Sequence, residues 1–413
     1  MKREPEADIV TFADIEDAAR AIEGSVVATP TLPARRLDGM VGCHVTLKLE
    51  CRQFTGSFKD RGALNKLRKL GREARAKGVV ACSAGNHAQG VAYHAGHLKI
   101  PATIVMPKAT PFTKAEQTRR LGATVELVGD DLNQALDHAE RLVRAGGLTF
   151  IHPYDDPDIV AGQGTVALEM LRDAPDLDCL VVPIGGGGLI AGIAIAAHSL
   201  KPGLEIVGVQ SALYPSMKQA ITGTGPVAGG STIAEGIAVK RPGAVTRPIV
   251  ERHVKEILLV DEDALERAVL AMAEQEKLVV EGAGAAGLAA LLAYPERFKG
   301  RHVGLIVSGG NIDSRVLASI LMRGLAREGR LARLRIEISD APGVLSRVAG
   351  LIGRLGGNIV EVYHQRLYFD VPVTMTDLDV VVETRNRHHV EEILAALDAE
   401  GFTARLLSAS GKG

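Results

Sequence analysis

A lysine in the first turn of a helix is chemically unusual, and the stretch Gly56-Ser57-Phe58-Lys59-Asp60-Arg61-Gly62-Ala63 puts one there. Ser57, followed three positions later by Asp60, has the pattern of a capping box. Ala63, Leu64, Leu67 and Leu70 then recur at helical spacing until Gly71 ends the run. Unpaired backbone N–H groups and the positive end of the helix dipole crowd a first turn, which disfavours a cation. Lys59 is thereby pushed towards its neutral form, which acts as a nucleophile or a base. The competing reading is a lysine that snorkels to water.

Three further stretches carry groups of the same kind. Gly185-Gly186-Gly187-Gly188-Leu189 follows the apolar run Leu180–Ile184. Glycines let a backbone approach an anion closely, and a helix start then aims several N–H groups at it. Gly186-x-Gly188-x-x-Ala191 also fits a dinucleotide fingerprint, but the next strand ends Val209-Gln210-Ser211 without the acid that a ribose needs. A single phosphate suits the loop better than NAD. Ser83-Ala84-Gly85-Asn86-His87 is a second strand-to-helix junction, able to take a carboxylate on its N–H groups. A plain helix cap by Ser83 or Asn86 is the alternative. Ser308-Gly309-Gly310-Asn311 closes a late apolar strand, where an ordinary turn is the alternative.

The elements that must position these groups alternate. Val45–Leu49 leads into the lysine helix. Strands Val79–Cys82, Ala102–Met106 and Thr124–Val128 alternate with helices His87–Ala95, Pro111–Leu121 and Leu132–Ala145. Cys179–Ile184, Glu205–Val209, Ile257–Val260 and Val303–Val307 repeat the scheme. Continuous apolar strands suit a parallel sheet covered on both faces. Two doubly wound lobes with a site between them are expected. Upstream, Asp14 to Ile22 reads as a short helix capped by Asp14, and Thr29-Pro30-Thr31 as an extended loop. Beyond the polar linker Glu328-Gly329-Arg330 the order becomes βαββαβ, the ferredoxin-like unit.

Together the four motifs resemble the pyridoxal-phosphate enzymes of the tryptophan-synthase-β type, most closely threonine dehydratases (threonine ammonia-lyases), over roughly residues 10 to 325. The resemblance implies a two-lobed catalytic domain over residues 1–330. It implies that Lys59 carries pyridoxal 5'-phosphate and removes the substrate's Cα proton, with Phe58 packed beside the cofactor. Gly185, Gly186, Gly187, Gly188 and Leu189 would hold the phosphate. Asn86 would face the phenolic oxygen, and Ser308 the pyridine nitrogen. Ser83, Ala84, Gly85, Asn86 and His87 would take the substrate. Glu281 would lie near the ring edge, although a helix-start carboxylate explains it equally well. A neutral hydroxyl at Ser308 does not enforce ring protonation, which favours loss of a β leaving group. The implied reaction is L-threonine to 2-oxobutanoate and ammonia, with L-serine giving pyruvate, in isoleucine biosynthesis or threonine breakdown. Serine and 3-hydroxyaspartate dehydratases and serine racemases resemble the chain too. Racemases carry Ser at the position of Ala84, and a metal-binding glutamate at that of Gln210. Racemisation and a divalent metal are therefore not expected. Asp340-Ala341-Pro342-Gly343-Val344 and Gly356-Gly357-Asn358 resemble an ACT domain over residues 331–413. That implies a regulatory module, an amino-acid effector such as isoleucine or valine, and a homodimer or homotetramer; an assembly module without a ligand is the alternative. An inactive amino-acid sensor is the reading from another class, disfavoured by the intact Lys59.

Composition agrees with this picture. The 413 residues are 46% hydrophobic and 23% charged, enough for two or three domains. A net charge of −1 argues against nucleic acid or an acidic membrane as main partner. Cys43, Cys51, Cys82 and Cys179 form no CxxC pair, and the histidines form no ligand cluster. Reduced thiols, no metal site and a cytoplasmic location are expected.

Overall fold

The computed structural model describes residues 9–223, 229–365 and 375–407. Its contacts divide the chain into two compact units, Met1–Ile312 and Asp313–Gly413.

The first unit contains two sheets. The larger has six strands in the order β1-β2-β10-β7-β8-β9. These are β1 (Thr31–Pro33), β2 (His44–Lys48), β7 (Cys179–Pro183), β8 (Glu205–Ser211), β9 (Glu256–Val260) and β10 (His302–Ile306). Only β1 is antiparallel, pairing Thr31 with Lys48. The stretch after Pro30 is thus an edge strand rather than the expected loop; prolines at both ends suit an edge, which needs fewer backbone donors. The smaller sheet is parallel, in the order β5-β4-β3-β6. It comprises β3 (Val79–Cys82), β4 (Ala102–Met106), β5 (Thr124–Leu127) and β6 (Thr149–Phe150). Every residue of β3 and β7 is buried, as a sheet covered on both faces requires.

Three helices sit at the centre of this unit: Lys59–Lys69, Pro157–Asp173 and Gly188–Leu200. They approach closely because glycines face each other. A Cβ on Gly162 would lie 2.6 Å from the Cα of Gly62, well inside van der Waals contact. The first helix, Phe12–Ile22, is capped by Thr11, and Asp14 is the partner three positions on that completes the capping box. The expected cap at Asp14 is therefore displaced by three residues: a hydroxyl already satisfies the first donors.

The second unit begins with the helix Ser314–Arg327, capped by Asp313. Its sheet is antiparallel, in the order β12-β13-β11-β14, from β11 (Leu331–Ser339), β12 (Asn358–Gln365), β13 (Met375–Glu383) and β14 (Thr403–Leu407). Helices Val344–Arg354 and Arg387–Ala399 complete a βαββαβ order. Along β11 buried and outward residues alternate, so one face packs on the helices and the other stays polar. Arg333 and Arg335 on that outer face pair with Asp379. No described helix is long and apolar enough to cross a membrane.

Candidate active site

Lys59 is the first residue of its helix, as its sequence context predicts. The predicted cap, however, is absent. Phe58 occupies the N-cap position, and the buried hydroxyl of Ser57 has no hydrogen-bond partner. The cause is long-range. Ser57 forms an antiparallel bridge with Gly309, Phe58 N donates to Ser308 O at 3.0 Å, and Gly310 N donates to Gly56 O at 2.9 Å. The chain before the helix is thus stitched to the turn after β10, and Ser57 cannot reach back over the helix start. The Asp60 carboxylate turns instead to Thr55, accepting from its backbone N at 3.1 Å and from its hydroxyl.

The Lys59 amine is partly buried and donates to Pro153 O at 2.6 Å. Burial pushes it down to about 8, against the opposing pull of Glu281. Its Nζ lies 5.1 Å from the ring centre of Phe58, which packs on the larger core. The neutral form is accordingly accessible near physiological pH.

The glycine loop is built for close approach. Gly187 is the N-cap of the Gly188–Leu200 helix, with φ +101°. That conformation disfavours any side chain, and a Cβ there would lie 2.7 Å from Thr246 Oγ1. Thr246 Oγ1 donates to Gly186 O at 2.6 Å, so the loop's carbonyl is held away from the helix start. Tyr154 lies on Gly186 and leaves no room for a Cβ. Its hydroxyl donates to Arg241 O at 3.1 Å, while Asp155 accepts from Ala244 N and Val245 N, each at 2.8 Å. Residues 153–155 therefore join the lysine amine to the glycine loop.

The second junction starts the Asn86–His97 helix, whose N-cap is Gly85. Neither Ser83 nor Asn86 caps it: Ser83 Oγ accepts from Gly85 N at 3.2 Å. Asn86 Nδ2 donates to Glu281 Oε1 at 2.7 Å. His87 is buried and bonds Ile151 O through Nε2 at 2.8 Å. Burial drives its pKa to about 3, so it is a neutral structural donor rather than an acid. Ala84 is half-buried against the smaller core. Ser308 is buried two residues past the end of β10, and its carbonyl accepts from Phe58.

Phe58, Lys59, the Gly185–Leu189 loop, Ser308 and Asn86 thus come into one neighbourhood, linked by residues 153–155 and Glu281. The 153–155 segment escapes sequence reasoning, although Asp156-Pro157, an N-cap before a first-position proline, announces the helix it precedes. Gln210, at the end of β8, is fully buried and accepts from Lys218 N at 3.0 Å through its amide oxygen.

The donor set suits a phosphate-bearing aldehyde. A helix start with a glycine cradle offers N–H groups to an anion, and a desolvated amine offers a nucleophile. Comparison with known proteins gives the same class. The family model for pyridoxal-phosphate dependent enzymes matches residues 22–309, and the chain belongs to that family. Its similarity to particular members is as follows. An L-threonine ammonia-lyase of Thermotoga maritima is 42% identical over 401 residues, 97% of this chain and 100% of the relative. The processed threonine deaminase isoform 2 of Solanum lycopersicum aligns with TM-score 0.72 and 33% identity, over 78% of this chain and 93% of that one. Maize serine racemase aligns with TM-score 0.71 and 34% identity, over 77% and 98%.

Proposed function

We propose that this chain is a pyridoxal-phosphate-dependent threonine ammonia-lyase, converting L-threonine to 2-oxobutanoate and ammonia and, as a side reaction, L-serine to pyruvate. The observation that carries the reading is the Lys59 amine, desolvated at a helix start and joined through residues 153–155 to a glycine cradle. Full-length similarity to a threonine ammonia-lyase supports threonine as substrate. Lys59 holds the cofactor, Gly185, Gly186, Gly187, Gly188 and Leu189 bind its phosphate, and Ser308 and Asn86 hold its ring. When bound, pyridoxal phosphate supplies the electron sink that makes the substrate's Cα proton acidic. The N–H groups of Ser83–His87 bind the substrate carboxylate. Lys59 Nζ would accept the Cα proton as general base. Lys59→Ala should fold, lose the visible absorbance of bound cofactor and lose turnover. Near-normal 2-oxobutanoate formation by that variant would overturn the reading.

Maize serine racemase as a structural neighbour raises a second reading, racemisation. Ala84 carries no acid or base on its side of the site, so elimination should dominate. Chiral chromatography of a serine reaction decides this: D-serine forming as fast as pyruvate would sink the argument from Ala84. Activity should also survive EDTA, since Gln210 offers no carboxylate.

For residues 331–413, within the second unit, we propose an ACT-like regulatory domain in a cytoplasmic homodimer or homotetramer. Its βαββαβ order supports this, as does a cavity of about 370 Å³ lined by Ser339, Asp340–Gly343, Leu345 and His364. An amino acid, isoleucine or valine first, is the proposed effector.

A further inference from the structure

Asn86 cannot orient itself. A primary amide can swap its oxygen and nitrogen by rotating half a turn, and the two states differ only through their partners. In this site the partners are not neutral about the choice. Asn86 Nδ2 donates to Glu281 Oε1 at 2.7 Å, and Asn86 Oδ1 accepts from Asn311 Nδ2 at 2.8 Å. Asn311 Nδ2 also donates to Thr55 O at 2.7 Å. One end of this chain is the Thr55 carbonyl, which only accepts; the other is Glu281, whose carboxyl burial raises to about 7, so that it only accepts above that pH. The Thr55 carbonyl requires nitrogen from Asn311, which then presents a hydrogen to Asn86, which must answer with oxygen. In its ionised form the Glu281 carboxyl at the far end requires nitrogen from Asn86 as well. Both constraints give the same answer.

We infer that Glu281 and Asn311 are positioning residues that fix the direction of the Asn86 amide, committing one Nδ2 hydrogen to Glu281 and keeping the second for an anionic oxygen of the bound cofactor. The inference rests on the cofactor assignment above. The helix that carries Asn86 packs directly on Lys59. Gly90 lies one turn along the same helix face, and its missing Cβ would stand 3.3 Å from the Lys59 carbonyl carbon. Gly309 fits beside the pair because it has no side chain: a Cβ there would meet Asn86 Nδ2 at 3.1 Å and overlap the Glu281 carboxyl. The turn that ends β10 therefore supplies both the space for Glu281 and, two residues later, the asparagine that sets the other end. Glu281 N donates to Gly309 O at 3.2 Å, holding its helix start to the same turn.

The test reverses the polarity of the hydrogen-bonded chain while keeping its net charge. In Glu281→Gln the new amide can turn its oxygen to Asn86, while Asn311 still dictates the direction. Pyridoxal phosphate affinity of the apoprotein, read by absorbance titration, should weaken only about threefold, the cost of a charged hydrogen bond made neutral. In Asn311→Asp a carboxylate faces each side of Asn86, and affinity should fall about tenfold or more together with the melting temperature. In the double variant, Glu281→Gln with Asn311→Asp, the amide at position 281 donates and the carboxylate at position 311 accepts, so the bonds to Asn86 re-form in reverse, while the Thr55 carbonyl stays without its donor as in Asn311→Asp alone. The double variant should regain part of the melting temperature lost in Asn311→Asp yet keep the loss of affinity, a split that a purely structural role does not produce. Wild-type affinity in the double variant, or in Asn311→Asp alone, overturns the inference. Should a carboxylate at position 311 prevent folding, Glu281→Gln with Asn311→Ala leaves the amide free to turn, and wild-type affinity there overturns it equally. A wild-type apoprotein that takes up no pyridoxal phosphate at all would instead refute the cofactor assignment.

Discussion

At the scale of single residues, the amine of Lys59 makes a prediction that does not need turnover. Burial places it near 8 instead of the ordinary lysine range, with Glu281 opposing. Only the neutral amine attacks an aldehyde. Capture of pyridoxal phosphate by the apoprotein should therefore quicken about tenfold per pH unit below 8 and level off above it. A rate still climbing tenfold per unit at pH 10 would mean an ordinary exposed lysine. Stability has the matching sign: the unfolded chain binds the proton more tightly between pH 8 and the ordinary lysine value, so this group's penalty on folding fades as pH rises through that window. Lys59, the glycine loop and Ser308 are legible in the sequence because each stands at a strand end or a helix start, where short-range pattern is strong. Ser57 misleads for the same reason. Its spacing to Asp60 has the form of a cap, but the bridge to Gly309 decides its geometry, and no local pattern reports a bridge to a distant segment.

At the scale of elements, a buried ionic cluster holds the back of the lysine helix. Arg61 makes two bonds of 2.8 Å to Glu50, and bonds of 2.7 and 2.8 Å to Glu169. Lys48 adds a 2.6 Å bond to Glu169 from the end of β2. Two cations and two carboxylates thus balance, and Arg61, Lys48 and Glu50 are fully buried. Arg61→Met would leave Glu50 without its main partner. Loss of one member of a buried pair costs about 3–5 kcal/mol, so the urea midpoint should drop clearly; a change below about 1 kcal/mol would show that the cluster contributes little. The strands and most helices are readable from their apolar runs and caps. The edge strand β1 and the 153–155 segment are not: one is defined only by its pairing with Thr46, Leu47 and Lys48 of β2, the other by contacts to Lys59 and Gly186 that tertiary packing creates.

At the scale of the whole molecule, the proposed regulatory role of the second unit is open to a saturation experiment. Regulation requires an effector that binds active and inactive states with different affinity. Isoleucine or valine should shift the threonine saturation curve of the full chain and leave that of a chain ending at Arg330 unmoved. If neither shifts the full-chain curve and calorimetry detects no binding, the assembly role stands in place of regulation. The stitch between the lysine loop and the turn after β10 has a consequence in time. Thr55 and Asn311 are 256 positions apart, and β2 itself pairs with β10. At a synthesis rate of about 5–20 residues per second, the lysine loop emerges from the ribosome roughly 13–50 s before the segment that shapes it. During that interval β2 has only β1 beside it. The nascent chain has the Lys59 amine long before the segment that shapes its loop, and with Lys59 as the proposed anchor, cofactor uptake would signal that the first unit has been made to its end.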